Sequence, residues 1–93
     1  MNREEAIELL NDRHDFPGIF PLSLIVMPAY SQSIQEALSE ACAPRMTLQS
    51  AEEVPSKHGN YLALRLKFWV ESAEDVLRLY ALVRPLDGVK MAL

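Results

Sequence analysis

The chain has 93 residues, 49% hydrophobic and 24% charged, with a formal net charge of −4. That length suits one domain and leaves no room for two, and the composition excludes a disordered or collagen-like chain. The acidic balance opposes phosphate backbones, so a nucleic-acid partner is disfavoured.

Arg3 to Leu10 reads as a short helix. Ala6, Ile7 and Leu10 share a stripe, and Glu4 and Glu5 occupy the first turn, where the helix dipole favours acids. Asn11 to Gly18 is polar and closes on Phe16-Pro17-Gly18, a turn signal. The expected organisation is a helical extension over residues 1–15 and a core domain over 16–93.

Phe20 to Met27 is apolar almost throughout and too short for a typical helix. It reads as a central strand, with Pro21 at its start because proline has no N–H to offer a ladder. Pro28 then opens a helix. Tyr30, Ile34, Ala37, Leu38, Ala41 and Cys42 fall on one face at a 3.6-residue period, and Pro44 stops it. Met46 to Val54 is a weaker strand. Glu52, Glu53 and Pro55 mark it as an edge, where charge and proline discourage stray pairing. Ser56-Lys57-His58-Gly59-Asn60 is a hairpin loop.

Tyr61 to Val70 is the clearest strand. Leu62, Leu64, Leu66, Phe68 and Val70 point one way, and Tyr61, Ala63, Arg65, Lys67 and Trp69 the other. The first set predicts dry core and the second an open, amphipathic face. Ser72-Ala73-Glu74-Asp75 is a capping signal. It starts a helix to about Arg84 with Ala73, Val76, Leu77, Tyr80 and Val83 inward. Pro85 and Gly88 end it, and Val89 to Leu93 forms a last short strand.

The order β-α-β-β-α-β folds most simply as a four-stranded antiparallel sheet with both helices on one face. Right-handed crossovers give strand order 4-1-3-2. The two most apolar strands then lie in the centre. The expected class is a ferredoxin-like α+β domain preceded by a short helix.

Several of these residues carry a family resemblance. Ser56-Lys57-His58-Gly59-Asn60-Tyr61, the strand after it, the helix with Leu79-Tyr80 and the ending Val89-Lys90-Met91-Ala92-Leu93 resemble the YbeD-like family. These are small bacterial proteins of unknown function. Phe16-Pro17 and Met27 fit the same pattern, so the resemblance spans residues 16–93. It implies a ferredoxin-like fold similar to ACT regulatory domains, which bind amino acids and pair up. It implies no established activity, although a link with lipoate metabolism is sometimes suggested for the family. His58 looks like an insertion in the family's Ser-Lys-Gly-Asn-Tyr pattern. Pro28 stands where a glycine commonly follows the first strand.

Catalytic chemistry finds little footing in these residues. His14 and His58 read as surface loop histidines, because no Cys/His pair has metal-ligand spacing. Cys42, the single cysteine, lies on an inward stripe and reads as a small hydrophobe. It forms no internal disulfide. Gly18, Gly59 and Gly88 make no phosphate-binding fingerprint. Glu52-Glu53 and Glu74-Asp75 are explained by an edge strand and a helix start. No cofactor, metal or enzymatic activity is expected. No signal peptide is read in the acidic opening, and the run Ile19 to Ala29 is too short and too broken to span a bilayer. A cytosolic protein without a membrane partner is the expectation.

The open face carries the sharper hypothesis. Tyr61, Arg65, Lys67 and Trp69 recur at period two on a central strand, beside Ser23 and Ile25. Lys57 and Asn60 lie in the loop before them. The reading favoured for the face itself is a partly solvated surface whose Lys and Arg stems cover apolar sheet, with protein contact as the leading functional alternative. The functional class favoured is a non-enzymatic binding or regulatory module contacting another protein or itself. The alternative is an ACT-like sensor of a small metabolite.

Overall fold

The computed structural model describes residues 1–93. Helix α1 spans Arg3–Arg13 and strand β1 Gly18–Val26. A 3₁₀ turn at Pro28–Tyr30 leads into α2, Ser31–Cys42. Strands β2 (Thr47–Pro55) and β3 (Leu62–Val70) follow, then α3 (Ala73–Val83) and β4 (Val89–Ala92). The sheet order is β2-β3-β1-β4, the expected order read from the other edge. Every neighbouring pair is antiparallel. The ferredoxin-like α+β class is borne out.

The core forms where the two apolar patterns meet. Phe20, Leu22, Leu24 and Val26 of β1 and Leu62, Leu64, Leu66, Phe68 and Val70 of β3 are all buried. They pack in one cluster with Ile34, Leu38 and Cys42 of α2 and Val76, Leu79 and Val83 of α3. The alternate residues of both strands therefore face away from the helices. Helix α1 has an Asn2 side-chain cap on the Glu5 N–H and no buried residue. Leu10 is its contact with the core.

Four details differ from the sequence reading. First, β1 starts at Gly18, opposite Val70, so Pro21 sits inside the strand. Ser23 turns its carbonyl toward β4, where it accepts from the Leu93 N–H at 2.8 Å. The Pro21 nitrogen, two residues earlier, faces the same flank. Strand β4 pairs only with Leu24 to Val26, so that flank demands no donor.

Second, Pro28 opens a 3₁₀ turn, and α2 starts only at Ser31. Tyr30 and Ala41 are exposed, and the buried stripe narrows to Ser31, Ile34, Leu38 and Cys42. Tyr30 lies outside the helical register and covers Gly88 instead. A Cβ on Gly88 would sit 2.4 Å from the Tyr30 ring, and the backbone there has φ +88°. Only glycine meets both conditions without strain.

Third, α3 buries Leu79, while Leu77 and Tyr80 are half-buried flanks. The stripe is turned because Asp75, one turn above Leu79, is itself drawn fully inside. Fourth, the strands flanking the hairpin run Thr47–Pro55 and Leu62–Val70, so Met46 and Tyr61 fall just outside. Met46 is buried as the anchor of the α2–β2 connection. β2 is exposed along almost its whole length and carries an irregularity between Leu48 and Ser50, as edge strands do. No helix is long and apolar enough to cross a membrane.

Candidate functional site

The helix-free face of the sheet is laid out by the strand register. At one end, Trp69 of β3 stands beside Ile19 of β1 and Thr47 of β2. Next come Lys67, Pro21 and Ser50, then Arg65, Ser23 and Glu52. Ala63 follows, between Val54 and Ile25, and Ile25 is in turn opposite Met91 of β4. The face thus has an apolar row across four strands, a charged band in the middle, and a Trp69–Ile19 pair at the far end. A shallow depression of about 450 Å³ lies over the charged band.

Arg65 reaches Glu52 at 3.4 Å, with both side chains well exposed. Such a pair adds little to stability and leaves donors free for a partner. Lys67 has no carboxylate within salt-bridge distance.

Tyr61, Arg65, Lys67 and Trp69 share this face by strand alternation. They do not converge on one point. Tyr61, just before β3, and Trp69, near its end, lie about 27 Å apart along the strand direction. Lys57 and Asn60 lie in the exposed hairpin loop at the Tyr61 end. Ser56 frames that loop: its N–H donates to the Tyr61 carbonyl at 2.9 Å, and its hydroxyl accepts from the Tyr61 N–H at 3.1 Å. Ile19, Pro21, Val54 and Met91 also belong to the face. Sequence reading missed them because β2 and β4 show no clean alternation and Pro21 disguises that of β1.

Three titratable side chains elsewhere, His14, Cys42 and Asp75, are structural in their contacts. His14 packs tilted against Phe16 and edge-on against Phe20, with ring centroids 6.1 and 5.0 Å away. Half-buried, it is not the free loop histidine expected. Burial, helped by the nearby Asp75 charge, pushes the Cys42 thiol above its usual pKa, which makes it a poor nucleophile. No group of three or more His, Cys, Asp or Glu comes together.

Asp75 is the polar residue the sequence concealed. Its Oδ1 accepts from Arg45 Nε at 2.5 Å and Arg78 Nη1 at 2.7 Å, and its Oδ2 from the Glu71 N–H at 3.0 Å. Burial pushes its pKa upward. The bonds from Arg45, the Glu71 amide and Arg78, with the Arg45 charge, outweigh that and hold it below the ordinary value. Ser72 makes no side-chain cap bond, and Asp75 takes the N–H of Glu71, one residue before the cap, in place of that of Ser72. Arg78 was legible at i+3. Arg45, 30 residues away, was not.

With this geometry in place, known proteins supply the context. Residues 11–93 match the family described as "Protein of unknown function (DUF493)". The chain belongs to the DUF493 family. A UPF0250 protein from Hahella chejuensis (strain KCTC 2396) is 30% identical over 80 residues, 85% of this chain and 88% of that one. The YbeD-like resemblance is thereby borne out. Among solved structures, the C-terminal domain of the MgtC protein from Mycobacterium tuberculosis superposes with a TM-score of 0.70. It covers 86% of this chain and 87% of that one at 13% identity, a likeness of fold alone.

The turn after β1 bears on small ligands. Met27 donates its N–H to the Gly88 carbonyl at 2.8 Å, Pro28 has no N–H to offer, and Tyr30 covers Gly88. These contacts occupy backbone that a ligand at this turn would approach. Free amino acids are therefore expected to give no binding heat in calorimetry. Micromolar binding of any one of them contradicts this expectation.

Proposed function

We propose that this chain is a non-enzymatic binding or regulatory module that contacts another protein, or a second copy of itself, through the open sheet face. The observation that carries the reading is uncovered apolar surface. Ile19 is 48% exposed, Tyr61 45%, Trp69 38% and Met91 55%, on a sheet whose helices cover only the other side. Two-layer domains ordinarily bury one sheet face and solvate the other with polar residues. A face that instead presents aromatic and aliphatic groups around Arg65 and Lys67 has the make-up of a contact surface. A cytosolic setting goes with this reading, since the single cysteine is free and buried.

Trp69→Ala and Arg65→Glu are expected to leave the far-UV circular dichroism unchanged and to weaken association by about 1–3 kcal/mol each. Sedimentation velocity and pull-down on both variants measure this. If both associate as the parent does, the face is merely solvated. If Trp69→Ala unfolds the chain, Trp69 is core and the reading fails.

A further inference from the structure

We infer that the occupant of the open face is a second copy of this chain, packed sheet to sheet about a two-fold axis running close to the strand direction between β1 and β3. The inference rests on the binding-module reading above and names its partner.

The strand register makes the face self-complementary. A two-fold along the strands keeps each residue at its level on the sheet and lays β3 on the partner's β1, and β2 on the partner's β4. Trp69, beside Ile19 in its own sheet, then meets the partner's Ile19. Ala63 meets the partner's Ile25. Val54 meets the partner's Met91, because Val54, Ala63, Ile25 and Met91 form one cross-strand row. Both apolar zones of the face are thus self-complementary, as an isologous interface requires.

The charged band discriminates between possible axes. Along the strands, Arg65 meets the partner's Ser23 and Lys67 meets the partner's Pro21, while Glu52 stays beside Arg65 as its counter-ion. A two-fold across the strands would instead set Arg65 directly against the partner's Lys67, whereas along the strands each cation is offset from the partner's like charge by one strand spacing, about 5 Å. It would also lay Val54 on the partner's Thr47 and split the apolar row.

In a chain of net charge −4, the band carries two cations, Arg65 and Lys67, against one carboxylate, Glu52, so its local charge is small. Aligned sheets pack about 10 Å apart, with mean strand directions within about 30° of each other. From strand spacing, the face projects about 500 Å² per subunit, so roughly 1,000 Å² is covered in all. That is about the lower bound for a specific interface and fits a weak, concentration-dependent dimer.

Light scattering on the full chain across a concentration series, together with cysteine cross-linking, tests the inference. Cys42 is buried and stays out of reach of a short bismaleimide. The parent is expected to dimerise as its concentration rises. Ile25→Glu, at the centre of the apolar row, should weaken the dimer tenfold or more while circular dichroism shows an intact fold. A mixture of Val54→Cys and Met91→Cys chains should cross-link between the two, and neither chain with itself. A parent that stays monomeric throughout overturns the inference. So does a dimer indifferent to Ile25→Glu, or one that joins Val54→Cys to Thr47→Cys. If the parent is monomeric yet a different protein is captured in a Trp69-dependent way, the binding-module reading stands and the second-copy inference alone falls.

Discussion

Leu64→Ala is expected to lower the unfolding free energy by about 2–5 kcal/mol, the range for truncating a fully buried leucine. Leu64 has no exposed surface and lies mid-strand in β3, between Leu24 of β1 and Glu53 of β2. Both neighbouring strands pair with β3 on either side of Leu64, so the sheet cannot collapse into the space left behind. A small domain holds about 5–15 kcal/mol in total, so this one change removes a large share. Urea unfolding followed by circular dichroism measures it through the midpoint at constant slope. A loss under about 0.5 kcal/mol, the size of an ordinary surface change, would place Leu64 outside the core and end the assignment of faces.

Asp75→Asn is expected to cost about 2–3 kcal/mol near neutral pH, in line with the loss of charge-assisted hydrogen bonds from a buried acceptor. The amide keeps the shape of the carboxylate but not its charge, and it offers one acceptor oxygen for three donors. Arg45 and Arg78 are each 55% exposed, so water takes back part of what they lose. The pH dependence gives a second signature. The folded pKa of Asp75 lies below its ordinary 3.8, so its contribution is fully present above the ordinary value. It is lost as pH falls through the depressed folded value. Parent stability should therefore drop in acid more steeply than that of the variant, and the two curves should converge at low pH. Parallel curves down to pH 2 would show that the carboxylate charge does nothing for the fold.

These two residues also show where sequence reasoning succeeds and where it stops. Leu64 was legible because β3 alternates without a break from Leu62 to Val70, and a period of two admits only one division into faces. Asp75 was not. A carboxylate three residues after a serine at a helix start looks the same whether it faces water or core. Its burial depends on Arg45, brought alongside by the path of the chain from α2 into β2. The same limit explains Leu79. The 3.6-residue period of α3 was clear, but its rotation by one residue was settled by the ion pairs at its first turn.

The amino-acid sequence by itself determined the element order, the strand order and which side of β3 is dry. Those follow from local periodicity, turn residues and chain connectivity, which act over a few residues or through topological rules. Tertiary structure alone decided which residues of different strands stand side by side. The row Val54, Ala63, Ile25 and Met91 joins positions from all four strands, and strand β4 carries too few residues to reveal its own register. A surface of that kind is a property of pairing. The hydrogen-bond ladder fixes it only once the helices have claimed the opposite face.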